Sequence, residues 1–498
     1  MVVKTVIRLL DFQSIYKGMK DDFEEDNDLQ GLLSRFEAMI DRGAEYFFDS
    51  EDFEDIIDYY LDETEVDKAK IAIEAAQHQY PYNRIFDFKK AQLLDFTRQE
   101  EEALKILSGL LQTFPEMRGD IHYLRGSIYS KLQKHQDAID EYKKALKYID
   151  ESYIRADLGF EYADIYQYDE AIRQFKKVLE YDPEEDYVME ELVSCYEKSE
   201  EFEEGIKFFQ KFLSKNPYGA EGWHQLGILY DQLGLYEKSI EAFDFVIALE
   251  PMFFEAYIDK GNTFVHAGMY HKAIEAFKEA MQTENPEVYC RIGDCYLKLK
   301  KYDDAQYYFN LVIKHNSDYH WAWYGMACLY FLQGNYKQAL VHTQKSYSLF
   351  EEFLEAIQLE GDIYMAMKKY DKAIISYRKV ADEWPLNLDN WFDLVTAYTA
   401  SKDINAAISV LNEACNNNPE NIDILYYCIE YLIQQKSVQT AIEYIKRVFP
   451  KQPSIIDILF KKFQVLKNDT DFLSFVNTLY DETNKSLPEN NGFTSFNN

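Results

Sequence analysis

Three places in this 498-residue chain carry residue types that could do chemistry at a workable spacing. In "DNDLQGLLSRFE", Asp26, Asp28, Gln30, Gly31 and Glu37 fall at the ligand and turn positions of a calcium loop. Calcium takes roughly six to eight oxygen ligands, which acidic residues at alternating places can supply around a tight glycine turn. Against calcium, Gln30 is a weaker ligand than Asp and no second loop pairs with this one. Leu29, Leu32, Leu33, Phe36 and Ile40 also already have the spacing of a helix. In "KHNSDYH", His315 and His320 flank Asp318, and two imidazoles with a carboxylate are zinc-type ligands. A zinc site also needs a further ligand or open position and supporting hydrogen bonds, so a solvated connection is the simpler reading. The third set is the six cysteines, Cys195, Cys290, Cys295, Cys328, Cys415 and Cys428, which show no C-x-x-C pair. Cys290 and Cys295 would point to different faces of a helix, and a reducing compartment follows. The sequence has no phosphate loop, no G-x-G-x-x-G, no G-x-S-x-G and no H-E-x-x-H, and nothing orders a nucleophile, base and acid. The expectation is a protein without catalytic residues, metal or cofactor, and not an enzyme.

The elements that position these residues are written in "GWHQLGILYDQLGLYEKSIEAFDFVIALEP", Gly222 to Pro251. Trp223, Leu226, Gly227 and Tyr230 lie on one stripe of a helix; Tyr236, Ser239, Ile240, Phe243 and Val246 form a second. Gly234, free to adopt left-handed dihedrals, ends the first helix, and Pro251 closes the second. The stretch reads as a helical hairpin.

The same unit returns at a period close to 34 residues. Its small place is held by Ala91, Gly126, Gly159, Gly227, Gly261, Gly293, Ala327 and Gly361, with a large residue three later, as at Tyr129, Tyr230 and Tyr364. A second small column runs through Ala69, Ala103, Ala138, Ala171, Ala273, Ala305, Ala339, Ala373, Ala407 and Ala441. Closing prolines recur, among them Pro183, Pro217, Pro385, Pro419 and Pro453. Four columns in one register make the chain resemble the tetratricopeptide repeat (TPR) family over nearly all of its length. The resemblance implies an all-α fold, a right-handed superhelical solenoid of TPR helical hairpins, read here as one continuous array.

The register starts units at Ser50, Arg84, Gly119, Ser152, Asp186, Ala220, Phe254, Pro286, His320, Leu354, Leu388 and Ile422. Residues 1–49 then form an N-terminal extension with a capping helix, and 50–455 an array of about twelve units. Residues 456–482 form a degenerate last unit, with Phe472 and Phe475 off the pattern, and 483–498 a polar, disordered tail. One unit comes in two residues early at Pro286; Val395 and Ile429 occupy the small column, and Gly205 replaces its alanine.

Lys and Arg total 53 against 88 Asp and Glu, a net charge of −35, which excludes nonspecific attraction to nucleic acid or anionic lipid and favours basic or neutral partners. No apolar run reaches the length of a membrane span, and the N-terminal apolar stretch is too short and interrupted for a signal peptide. The expected location is the cytoplasm.

In the resembled family the concave face, lined by places two, five, nine and twelve of each first helix, receives a peptide or partner helix. Carrying these places over gives Trp321, Tyr324, Phe331, Phe392 and Tyr426, bordered by Asp294, Asp362, Asp389 and Asp423, with His224 and Asn262 elsewhere on the same columns. The lysine and asparagine pair of the chaperone-binding type is absent, and Asn262 alone makes no asparagine ladder. Aromatic anchors among carboxylates suit a segment with apolar and Lys or Arg side chains. Aromatics at helical spacing also serve as plain core, an equal reading for Tyr324 and Phe392. The acidic run Asp49 to Asp67 offers a second docking face or, more simply, a solvated helix surface. The resulting expectation is a non-catalytic protein-binding scaffold. The alternatives are a regulatory or assembly subunit using the convex face and ends of the array, and a divergent enzyme.

Overall fold

A computed structural model describes residues 25–42, 47–418, 421–435 and 437–486. The expected extension before residue 25, Pro419 and the tail beyond residue 486 lie outside them. Among the described residues every regular element is a helix, and each unit of the register is an antiparallel pair, so the fold is an all-α repeat solenoid. First helices begin at Ser50, Ser152, Asp186, Ala220, Phe254, Pro286, His320, Leu354, Leu388 and Ile422, as the register places them, and at Ile85 and Arg118 one residue away from it. Contacts gather the chain into two compact units, Met1–Ala256 and Tyr257–Asn498, a division that the repeat register does not mark.

In the first unit the hairpin Ala220–Gln232 and Tyr236–Leu249 closes because Gly227 lets Phe243 lie against the helix backbone; a Cβ there would stand 2.6 Å from the ring. The same pairing recurs at Gly126 with Tyr142 and Gly159 with Phe175. Where Val193 holds the small place ahead of Phe209, room comes instead from Gly205, whose Cβ would meet Tyr196 at 2.9 Å. The helix Glu25–Arg42 buries Leu33 and Phe36 against the first hairpin, with the Phe36 ring 5.9 Å from Tyr60 and 6.0 Å from Phe48. The acidic run that follows is the helix Ser50–Asp62, which buries Phe53, Ile56, Ile57 and Tyr60 beneath its charged face.

In the second unit the pairing returns at Gly261 with Phe277, Gly293 with Phe309 and Gly361 with Tyr377. The early unit is accommodated by a single 3-10 turn, Ala280–Thr283, after which Glu284 adopts φ 53° and Asn285 caps the next helix through Glu287 N at 2.9 Å. At Leu388–Ala400 a fully buried Trp391 donates its indole N–H to Pro385 O at 2.9 Å. Removing such a ring costs about 3–5 kcal/mol. The described residues end in the short helix Ile455–Lys462 and a longer one, Thr470–Ser486, packed through Phe460 and buried Phe472 at 5.6 Å. That last helix takes in residues 483–486, which the sequence reading assigned to the tail.

The turn between paired helices uses the left-handed region at one recurring place: Thr64, Arg98, Gln133, Tyr166, Glu200, Gly234, Gly268, Lys300, Gly334, Lys368 and Lys402 all have φ between 57° and 74°. This single residue reverses the chain in each of these eleven hairpins, whether or not it is glycine.

Candidate functional site

The small and aromatic columns of each first helix are spent on its own second helix, and the remaining face is free to present side chains elsewhere. On the second unit this face runs over Pro286–Lys298, His320–Leu332, Leu354–Ala366, Leu388–Ala400 and Ile422–Gln434. Trp321 is 41% exposed, with its ring 4.6 Å from Phe353 and 5.7 Å from Tyr324. Phe353, itself buried, lies 5.2 Å from Tyr324 and 4.8 Å from His320, and so anchors the group. It precedes its helix by one residue, outside the places carried over, although Phe253 stands in the same position one hundred residues earlier.

Tyr324 also hydrogen-bonds Cys328, and Asp294 stands near enough to act on both. Asp294 is exposed to solvent, yet the protein around it desolvates its carboxyl and pushes it up to about 7 against the opposing charges of Arg291 and Lys298. Asp362 accepts from the Tyr377 hydroxyl at 2.6 Å, yet burial still raises its carboxyl. Asp393 accepts from Gln358 Nε2, and burial, then the charge of Asp362, push it up to about 6. Gln358 Oε1 is buried with no hydrogen-bond partner among the described residues. Asp393 and Gln358 were not among the residues singled out as binders; Asp393 directly follows Phe392, one place off the chosen column.

Phe392 packs on Tyr427, with ring centroids 3.9 Å apart and planes tilted by 32°, rather than on Tyr426. Tyr426 is half-buried, and its hydroxyl has no partner among the described residues. Phe331 leans on Tyr336 of its own hairpin at 6.0 Å. Asn262 donates to Asp259 at 3.2 Å within its own helix. His224 belongs to the first unit, where it is buried between Phe243 and Phe253 at 5.6 and 5.0 Å. The structure thus sets Trp321 against Tyr324 and Phe353, brings Tyr324 and Asp294 to Cys328, and leaves His224 in the other unit.

The calcium-type stretch is part of the helix Glu25–Arg42, so its residues do not form a loop, and the side chains of Asp26 and Asp28 lie outside what is described. His315 ends one helix and His320 begins the next, its ring packed on Phe353. Among the described residues, His135, Glu161 and Asp164 bring three potential ligand atoms within 4.8 Å of one another. Glu161 already accepts from Ser130 Oγ at 2.5 Å and sits 2.8 Å from His135 Nδ1, which makes a satisfied polar cluster. All six cysteines are free; Cys415 and Cys428 place their buried sulfurs 2.7 Å apart. No described helix is long and apolar enough to cross a membrane.

Sequence models of the tetratricopeptide repeat match residues 119–151, 158–220, 224–287, 286–319 and 354–382. Among solved structures the chain is similar to yeast Tom70, at 15% identity over 87% of this chain and 96% of that one, with a TM-score of 0.44. It is also similar to the Cut9-Hcn1 hetero-tetramer of the APC/C, at 16% identity over 80% and 98%, TM-score 0.39. A tetratricopeptide repeat protein from Parabacteroides merdae is 17% identical over 49% of this chain and 98% of that one, TM-score 0.42. None of the curated proteins compared matches the chain in sequence.

Proposed function

Because this chain belongs to the tetratricopeptide repeat family, we propose that it is a non-catalytic interaction scaffold that receives an extended protein segment on the first-helix face of its second unit. The segment carries apolar side chains and Lys or Arg. What supports this reading is the set of carboxyls with raised affinity for protons, Asp294, Asp362 and Asp393, on the same face as the exposed ring of Trp321. Carboxylates shielded from water by surrounding protein are costly to ionise, the more so where two act on each other as Asp362 and Asp393 do, and an incoming ammonium or guanidinium relieves that cost. The ring adds apolar burial and a face for the cation. Paired helices hold the receptor side rigid, so ordering cost falls on the segment alone. The reading includes a cytoplasmic location, which the six free cysteines support.

Short random peptides displayed on phage and selected against the full chain test this. Enrichment of Lys or Arg beside apolar residues is expected on the natural chain, and its loss on Asp294→Asn/Asp393→Asn and on Trp321→Ala/Tyr324→Ala. Enrichment without basic residues, or equal enrichment on all three chains, contradicts the reading.

A further inference from the structure

Arg155 is the fourth residue of the helix Ser152–Asp164, the place that Trp223, Trp323 and Trp391 hold in theirs. Each of those indoles donates to a carbonyl six residues back, at Pro217, Ser317 and Pro385 respectively, and its ring covers the ground beside its helix. At Arg155 a guanidinium replaces that ring beside an open notch of about 410 Å³ between His135–Ala145, Ser152–Asp164 and Tyr168–Tyr181; a notch of about 390 Å³ beside Tyr230 and Lys238 holds the equivalent place in the unit of Trp223, so what sets this one apart is its charge and not its room.

In a chain of net charge −35, the walls of this cavity carry Lys143, Arg155 and Lys177. The carboxylate among them, Glu170, has both oxygens held by Arg173 at 2.9 Å. Lys143 lies 5.2 Å over the Tyr162 ring, and among the described residues neither it nor Lys177 pairs with a carboxylate. Arg155 is 13% exposed in its side chain. One of its amino groups is paired with Asp150 and the other reaches Gln174 Oε1 at 3.5 Å, while its buried Nε has no acceptor. Gln174 spends its oxygen on Arg155, which leaves its amide N–H groups to donate.

We propose that this notch is an anion site that takes the phosphoryl group of a phosphorylated peptide side chain. A phosphoryl group brings a charge of roughly −1.5 to −2 and three acceptor oxygens, enough to engage two ammonium groups, a guanidinium and an amide together. A carboxylate brings half the charge and fewer acceptors. The surrounding negative charge of the chain repels extended polyanions, so one phosphoryl on an otherwise neutral or basic segment is selected over nucleic acid. Lys143 and Lys177 are exposed at the mouth, where a peptide chain can lie while its phosphoryl enters. The site is in the first unit and is independent of the binding face assigned to the second.

Calorimetry on the full chain tests it with a short Ala/Lys peptide bearing one phosphoserine, the same peptide without phosphate, and inorganic phosphate. The phosphopeptide should bind about tenfold or more tightly than its unmodified form, in keeping with charge-assisted hydrogen bonds. Lys143→Gln/Lys177→Gln changes only exposed groups, and Arg155→Trp restores the ring of the column; both should melt like the natural chain and lose the preference. Equal affinity for the two peptides, or a preference kept by both variants, overturns the site. Inorganic phosphate binding as tightly as the phosphopeptide overturns the peptide as its source.

Discussion

A Cβ placed on Gly227 would stand 2.6 Å from Cε1 of Phe243, sixteen residues farther along, and this contact sets how closely the two helices of the hairpin approach. The glycine is there for the ring, since its backbone is ordinary helix. Gly227→Ala should therefore destabilise by about 1–3 kcal/mol through overpacking. Gly109, inside Glu100–Thr113, has nothing within 4 Å of its would-be Cβ, and Gly109→Ala should stabilise by about 0.5–1 kcal/mol. Urea unfolding of both variants checks the contrast; equal shifts of the same sign would deny the ring its role.

The left-handed turn residue supplies a second prediction. Lys300 holds φ 58°, where an L residue pays roughly 1–2 kcal/mol that glycine avoids, less glycine's larger entropy loss. Lys300→Gly should raise stability by about 0.5–1 kcal/mol, read from the unfolding midpoint, whereas Gly234→Ala, at φ 70°, should lower it.

These two positions also show how far the sequence was legible. Helix starts at Ala220, Phe254 and Pro286 could be placed to the residue because periodic small and aromatic columns and a closing proline all constrain the same hairpin. Gly234 announced its turn, but Lys300 and Glu200 occupy the equivalent place without any residue signature, because a tertiary hairpin imposes the dihedral that propensity opposes. The inner face was harder to read. Trp321 and Tyr324 come from the places carried over from the resembled family, while Phe353 reaches them from a connection and Asp393 stands one place off the column. His135 and Glu161 come from separate hairpins, and Arg155 shows its meaning only beside the tryptophans that hold its place in other units.

A third prediction concerns pH. Desolvation by surrounding protein holds exposed Asp294 at about 7 and half-buried Asp393 at about 6, above the value of about 4 for an unfolded carboxyl. Between those values the folded chain binds more protons than the unfolded one, so their contribution to stability is full below the unfolded value and is lost as pH rises through 6 to 7. Relative to Asp294→Asn/Asp393→Asn, the natural chain should gain melting temperature on acidification across that window. Affinity for a basic peptide should move the other way, weakening as the carboxylates protonate. Arg291 and Lys298 beside Asp294, and Asp362 and Asp389 beside Asp393, are the charges that shape both curves. A pH difference between the two chains that is flat from 5 to 8 would contradict the assignment.

The central claim, that the first-helix face of the second unit is where a partner segment lies, is tested most directly by photo-crosslinking. A Lys/Arg-bearing peptide with benzoylphenylalanine beside its basic residue is irradiated with the full chain, and the adducts are located by mass spectrometry. The account predicts adducts at Trp321, Tyr324, Gln358 and Phe392. Adducts confined to exposed second-helix residues such as Tyr307 and Ile375, or to the first unit, would contradict it.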